Sequence, residues 1–326
     1  MALKTTRQAM PAREAVQAAP ARRSWSRYSA RTAYLFIAPW LLGFIGLTAI
    51  PLIYAFAVSF TSANGITPRW HWIGLDNYSE LIGDPDTWWS LSRTLLYMAL
   101  TVPVSVAGGL GLAVLLNRRM RAVGLFRTIF YVPSVVPVVA AATMWKIMFD
   151  RDAGIINAII EFFGGPTTTW LVDPTVFTAL VIMVLWGLGG GMVIFLAGLQ
   201  GIPGELREAV AVDGANAVQA FRAITLPLLT PVIFFEIVTG VIASLQTLVQ
   251  PLLLAVSTGT VGGASVPRSN YLYMVNVYQQ IFGNERLGYG AALLWILFVV
   301  ILLITLLVFR SSTVWVYYEV DPGKAG

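Results

Sequence analysis

Six long apolar runs constrain this sequence more than any other feature. A helix that crosses a membrane needs about 20 mostly apolar residues. Runs that meet this requirement cover residues 32–61, 94–116, 128–149, 174–199, 226–256 and 287–309. Because lipid cannot satisfy free backbone N–H and C=O groups, the spans are expected to be helical. The sequence therefore predicts an all-α integral membrane protein with six transmembrane helices.

Composition supports the membrane assignment and narrows the possible chemistry. The chain of 326 residues is 57% hydrophobic and 11% charged, whereas a soluble domain carries about 25% charged residues. It has no cysteine and one histidine, His71, which excludes thiolate metal sites and cysteine nucleophiles. No lysine stands in a G-x-x-x-x-G-K-[ST] motif. We therefore expect no enzyme activity, no catalytic residue and no metal site in this chain, and we expect any ATP to bind another subunit.

The charges between the runs predict the topology. Residues 1–31 are strongly basic, and the loop at 118–127 holds arginines and no acid, whereas the loops after the first and third runs are rich in Asp and Glu. Basic segments stay on the cytoplasmic side, so both termini are expected there. The same rule explains the basic tail, so we do not expect the chain to bind nucleic acid. We divide the chain into a basic cytoplasmic tail (1–31), a transmembrane domain (32–310) and a short cytoplasmic tail (311–326).

One charged segment separates the fourth and fifth runs. It covers residues 201–225 and reads "GIPGELREAVAVDGANAVQAFRAIT". Pro203 suits a first helical turn, and Glu205 and Glu208 favour the positive end of the helix dipole. Gly214 permits a bend, after which a second short helix is predicted over residues 215–224. The pattern is typical of a surface helix that docks into a groove of a soluble partner, although an ordinary cytoplasmic loop fits it equally well.

The same segment resembles the EAA loop of binding-protein-dependent ABC importer permeases. That pattern, E-A-A-x3-G-x9-I-x-L-P, is matched by Glu208, Ala209, Gly214 and the residues 224–227, with Val210 in place of the second alanine. The stretches "IGLDNY", "LFRTIFYVP" and "LGYGAALLW" follow in the family's order. They extend the resemblance to the maltose and glycerol-phosphate class of permeases over residues 33–309.

The resemblance implies a transport subunit. It implies a six-helix core, a second homologous permease, two cytoplasmic ATPase subunits that bind ATP and Mg²⁺, and an extracytoplasmic solute-binding protein. Residues 201–225 would hold a cytoplasmic coupling helix between the fourth and fifth spans. The solute would be a sugar or a related neutral polyol, and the chain would lie among lipids in the inner membrane. We expect contacts with the ATPase from Glu205, Glu208, Ala209, Asp213 and Gly214.

Polar residues in the fifth span predict a path for the solute. Glu236, Thr239, Gln246 and Gln250 have spacings that place them on one face of a continuous helix. A polar face turned to lipid is costly, so this face is expected to line the bundle interior. Interhelical hydrogen bonding is the alternative explanation. The amides suit hydroxyl-rich ligands, whereas Glu236 is expected to be a structural intramembrane charge.

The fifth span also departs from the family pattern. Many relatives carry an F-D pair in its outer half and then a T-x-G-G-P turn, whereas this chain reads "SLQTLVQPLLLAVSTGTVGGAS". The missing carboxylate leaves the identity of the solute open. If the polar face of the fifth span is structural, the substrate path is expected around Trp186 and Trp295, in the fourth and sixth spans, or in the partner permease.

Two other classes of function remain open. A secondary transporter driven by an ion gradient would use Glu236 as its proton carrier, but it would not need a docking segment. A membrane-embedded enzyme is disfavoured because histidine, cysteine and lysine are scarce. Within the importer class, a sugar phosphate or glycerol phosphate is an alternative solute. It is disfavoured because the unpaired carboxylate of Glu236 in the path would repel a phosphate.

Overall fold

The protein is built from helices. The computed structural model describes residues 30–67, 70–118, 120–254 and 266–317. In these ranges the only pairing of β type is an isolated antiparallel bridge between Thr61 and Trp72. The predicted all-α architecture is confirmed. In chain order the helices are α1 (Ala30–Phe44), α2 (Ile50–Val58), α3 (Asp76–Gly83), α4 (Pro85–Leu116), α5 (Val123–Val135), α6 (Val138–Met148), α7 (Ile155–Phe162), α8 (Thr175–Leu185), α9 (Gly189–Gly201), α10 (Gly204–Val212), α11 (Ala217–Ala220), α12 (Leu226–Leu245), α13 (Val249–Leu254), α14 (Tyr273–Tyr278) and α15 (Leu287–Trp315).

Among the described residues, five helical stretches are long and apolar enough to cross a membrane. They cover Arg31–Val58, Pro85–Leu116, Thr175–Gly201, Ala217–Leu245 and Leu287–Trp315. The third predicted span is broken, because α5 and α6 meet at an angle of 99°. Val136 precedes Pro137 and is extended, with φ −67° and ψ 128°, as expected of a residue before proline. The number of spans is six if this bent pair crosses as one.

The chain divides into two compact units, Met1–Ile53 and Tyr54–Gly326, and every site discussed below lies in the second. The predicted basic tail falls almost wholly outside the described residues, and the segment 255–265, where the sequence departs from the turn of its relatives, lies outside them too. Near the C-terminus, α15 continues to Trp315, past the predicted end of the sixth run.

Helix α9 holds the second unit together, since it packs on α4, α5 and α12. Gly189 permits a close approach to α5, because a Cβ atom at this position would lie 1.7 Å from the carbonyl oxygen of Phe130. Any larger residue would push the two helices apart. A buried apolar cluster joins α9 to α4 and α12 and includes Ala113, Leu116, Met192, Phe195, Leu199 and Leu229.

Two π-helical turns accommodate prolines. Ile45–Ala49 and Phe221–Thr225 each end two residues before a proline, Pro51 and Pro227. Proline lacks an N–H group, and its ring clashes with a carbonyl of the preceding turn. The wider π turn lets the chain continue without a break. The predicted second short helix at 215–224 is therefore not separate from the fifth span, because residues 217–224 belong to one long helix, Ala217–Leu245.

Helix termini gather at two ends of the second unit. At the first end, where α4 and α15 begin, the Tyr289 hydroxyl donates to Asp84 at 3.0 Å. At the second end, α4 and α9 finish beside the start of α12, and the Tyr317 N–H donates to the Thr230 hydroxyl oxygen at 2.8 Å. In the predicted topology the second end faces the cytoplasm.

Helix α14 is a short buried element that the sequence analysis did not predict. Its Tyr273 is 0% exposed. The Tyr273 N–H donates to the Thr94 hydroxyl oxygen at 2.8 Å, and the Tyr273 hydroxyl donates to the Leu293 carbonyl at 3.0 Å. These bonds hold α14 between α4 and α15.

Candidate functional site

A cavity of about 220 Å³ lies between α4, α8 and the α12–α13 region. Helix α4 contributes Tyr97, Thr101 and Ser105, which are spaced by four residues and so share one face of the helix. The opposite wall comes from the second half of α12 and the residues after it. That wall includes Glu236, Gly240, Ala243, Ser244, Thr247 and Gln250.

Several hydroxyl groups in the cavity have their protons engaged by the backbone. Thr101 donates to the Tyr97 carbonyl at 2.7 Å, Ser244 to the Val241 carbonyl at 3.0 Å and Thr247 to the Ala243 carbonyl at 3.2 Å. A hydroxyl used in this way can still accept hydrogen bonds through its lone pairs. These three hydroxyls therefore face the cavity as acceptors, whereas the Gln250 amide can both donate and accept.

Among the described residues that line the cavity, Glu236 alone is charged. Its Oε2 atom lies close to Gly191 on α9, since a Cβ atom there would be 3.2 Å from it. Within the described part of the chain, no hydrogen bond or ion pair reaches this carboxylate. The same residues contain no group of three or more His, Cys, Asp or Glu side chains that could hold a metal ion.

The four polar residues predicted to share one face of the fifth span do not all line the cavity. Glu236 and Gln250 line the cavity, whereas Thr239 and Gln246 are exposed and do not. The prediction of one continuous helical face is wrong, because α12 ends at Leu245 and α13 begins only at Val249. The spacing rule for a helix face therefore does not extend past residue 245. Thr239 precedes the break and lies outside the cavity because the cavity face of α12 runs through Glu236, Gly240 and Ala243.

The two predicted tryptophans lie away from this cavity. Trp186 packs edge-on against Trp145, with ring centroids 5.9 Å apart. Trp295 contacts Phe56 at 4.8 Å and Phe298 at 5.4 Å. Their place in the substrate path stays a prediction for surfaces other than the cavity.

The α4 wall was missed by the sequence reasoning. Tyr97 is 2% exposed and Thr101 is 4% exposed, and both lie in a span chosen for its hydropathy alone. The signal was present, because polar residues at 97, 101 and 105 repeat every four positions within an apolar helix. Such a repeat indicates a face that avoids lipid.

The charged segment forms a short exposed helix between the fourth and fifth spans. Helix α10 carries Glu205, Glu208 and Ala209, and its main neighbour is α11. These three residues and Asp213 are exposed. In the described part of the chain no side-chain hydrogen bond or ion pair engages the acidic residues of α10. The carboxylates are therefore available to a partner.

A sharp corner follows α10. Gly214 has φ +76°, a conformation that glycine adopts without steric cost. Asn216 then caps the long helix: its side chain accepts from the N–H groups of Val218 and Gln219, and the Gln219 side chain accepts from the Asn216 N–H. This capping box fixes where the helix begins, so the predicted bend at Gly214 is confirmed.

A polar cluster, which we call the Asp173 cluster, joins chain segments at the first end. It comprises Trp89, Asp173, Arg268 and Ser269. Asp173 accepts from the backbone N–H groups of Arg268 and Ser269 at 2.8 Å each. The Trp89 indole N–H donates to the Arg268 carbonyl at 2.9 Å, and the Arg268 guanidinium lies 5.1 Å from the Trp89 ring. These contacts fasten residues 268–269 to the beginnings of α4 and α8.

Comparison with known proteins gives one matching family. The family described as "Binding-protein-dependent transport system inner membrane component" matches residues 91–322. The probable ABC transporter permease protein YesP of Bacillus subtilis is 39% identical over 291 residues, which cover 88% of this chain and 92% of YesP. The trehalose/maltose transport system permease protein MalF of Thermococcus litoralis is 31% identical over 279 residues, which cover 85% of this chain and 92% of MalF.

A solved structure has the same fold. A chain of a bacterial alginate ABC transporter, in complex with an alginate pentasaccharide-bound periplasmic protein, superposes with a TM-score of 0.76 at 20% sequence identity. The superposition covers 86% of this chain and 94% of that chain. At this identity the likeness establishes the fold alone.

Proposed function

The chain belongs to the family of binding-protein-dependent transport system inner membrane components, and from that premise we propose that it is a permease subunit of an ATP-driven sugar importer. The solute is a sugar or a related neutral polyol, delivered by an extracytoplasmic binding protein. The support is the match over most of the chain to permeases named for trehalose and maltose, arabinooligosaccharides and lactose. In this proposal the chain is not an enzyme.

The proposed source of energy is ATP bound with Mg²⁺ on two separate ATPase subunits. The exposed carboxylates of α10 support this assignment, because they have no partner within the described chain and suit a basic groove on another protein. Glu205, Glu208, Ala209, Asp213 and Gly214 form the proposed contact. A second, homologous permease completes the membrane part, and both termini of this chain face the cytoplasm.

The cavity between α4 and α12 is the proposed solute site. Closure of the ATPases moves α10, and the spans alternate between states that open to opposite sides of the membrane. Gln250 stays in the proposed path, and Tyr97, Thr101 and Ser105 join it. The other residues predicted for the path do not line the cavity, and we place them on parts of the path outside it: Thr239, Gln246, Trp186 and Trp295.

One observation favours a second candidate function. An ion-gradient-driven secondary transporter would use a carboxylate such as Glu236, which lines the cavity without a partner in the described chain. The exposed α10 weighs against this alternative, because a solitary transporter needs no docking helix. Sugar phosphate remains a less favoured solute, since its negative charge would meet the Glu236 carboxylate.

Reversing the charge of Glu208 tests the docking role. Removing one partner of a desolvated charge pair can cost about 2–5 kcal/mol, so Glu208→Lys should abolish uptake while the protein still inserts into the membrane. Uptake by cells that express the complete transporter is the measurement. The matched control is Asp152→Lys, which reverses another exposed carboxylate far along the chain from α10 and should leave uptake intact. Normal transport by Glu208→Lys complexes with full ATPase stoichiometry would refute the assignment.

A further inference from the structure

We infer that Glu236 determines which solutes the cavity accepts, admitting those that offer hydrogen-bond donors and excluding those that carry negative charge. The inference rests on the proposed function, because it concerns the solute of that transporter. In this inference Glu236 contacts the solute, whereas the sequence predicted that it is a structural intramembrane charge. Gly191 is then a positioning residue.

Several polar groups of the cavity lining can act only as hydrogen-bond acceptors. Thr101, Ser244 and Thr247 donate their protons to backbone carbonyls, so they face the cavity as acceptors. The Glu236 carboxylate can only accept. A solute that satisfies these four groups must supply donors, as the hydroxyl groups of a sugar or the ammonium group of an amino sugar do, and a sugar hydroxyl can also accept from Gln250.

The charge of Glu236 disfavours an anionic solute. Among the described residues, no arginine, lysine or histidine lines the cavity, so no positive charge in this lining offsets the carboxylate. An ionised group away from water needs hydrogen bonds or an opposite charge. Two adjacent hydroxyls of a sugar ring can satisfy both carboxylate oxygens, whereas a carboxylated sugar adds a like charge.

The Glu236 carboxylate lies against Gly191 on α9. Gly191 leaves room for the carboxylate, and a methyl group there would lie 3.2 Å from Oε2. The carboxylate would have to shift by a few tenths of an ångström. Gly190, its neighbour, would place a methyl group 3.4 Å from the Ser134 side chain, which is an ordinary contact that does not involve Glu236.

The test measures solute moved per ATP hydrolysed, in proteoliposomes that hold the complete transporter and its binding protein. The neutral probes are maltose, lactose and an arabinooligosaccharide, the cationic probe is glucosamine, and the anionic probes are glucuronate and an alginate oligosaccharide. We expect wild-type protein to import a neutral or cationic probe and no anionic one. Glutamine keeps one acceptor oxygen but loses the charge, and a charged hydrogen bond is stronger than a neutral one, so Glu236→Gln should lower the transport ratio roughly tenfold.

Two further variants separate this role from a folding defect. Gly191→Ala should lower the transport ratio less than Glu236→Gln does, because the carboxylate keeps its charge and is only displaced. Gly190→Ala is the matched control and should keep the wild-type ratio. A loss of structure would lower uptake and ATP hydrolysis together, so the ratio would not fall.

The outcomes distinguish this inference from the proposed function. Import of an anionic probe by wild-type protein, or an unchanged transport ratio in Glu236→Gln, would overturn the role of Glu236 while the importer assignment stands. Equal effects of Gly190→Ala and Gly191→Ala would overturn the positioning role of Gly191. If wild-type protein imports no probe with ATP, the proposed function itself fails.

Discussion

Asp173 shows how a single side chain can order one end of the molecule. It lies just before α8, and both of its oxygens accept backbone N–H groups from residues 268 and 269. Burial alone would raise the pKa of Asp173, but the hydrogen bonds from Ser269 and Arg268 and the charge of Arg93 outweigh it. The net pKa lies below its usual value, so the folded state favours the ionised carboxylate.

This pKa shift predicts a pH-dependent contribution to stability. A carboxylate whose folded pKa is depressed stabilises the protein above its unfolded pKa, about 3.9, and loses that contribution as pH falls through the folded pKa. Asp173→Asn should therefore lower the melting temperature of purified protein at pH 7, and the difference should shrink below about pH 4. Asp152→Asn, at an exposed position, is the control. Equal destabilisation by Asp173→Asn at pH 3 and pH 7 would contradict this account.

At the residue scale, the sequence predicted part of the cavity. Glu236 and Gln250 stood out because polar residues are rare in an apolar span, and both line the cavity. Gly191 could not be singled out, because its importance depends on where α9 meets α12. A glycine run in the sequence does not say which neighbour each glycine faces.

At the element scale, hydropathy predicted the spans but not their interruptions. The break between α5 and α6 had a local signal in Pro137, since proline disfavours a helical conformation in the preceding residue. The end of α12 at Leu245 had a comparable signal in Pro251, which lies in the first turn of α13, where a helix tolerates proline, and which therefore indicates a break before it. The prediction of one polar face failed past residue 245 because this signal was not used.

The corner after α10 gives a prediction for one element. An alanine at Gly214 would meet no heavy atom within 4 Å, so its cost is the left-handed backbone alone, about 1–2 kcal/mol. Gly214→Ala should therefore speed amide hydrogen exchange in α10 and α11. Gly201→Ala also meets open space, but without a positive φ it should leave exchange unchanged. Equal exchange in both variants would show that the corner does not depend on this conformation.

At the scale of the whole molecule, one long helix connects the two candidate sites. The helix Ala217–Leu245 is continuous. It begins at the Asn216 cap beside α10, and it carries Glu236 roughly 28 Å further along, at 1.5 Å per residue. A movement of α10 can therefore reach the cavity through one continuous helix, which is the physical basis we propose for coupling.

The most direct test of this account is the energy source of transport. The complete transporter, reconstituted in proteoliposomes with its binding protein, should import solute only when ATP is supplied on the side of α10. Uptake should persist when ionophores abolish every ion gradient. Uptake that needs no ATP and follows an imposed proton or sodium gradient would contradict the account, and it would assign the cavity to a secondary transporter.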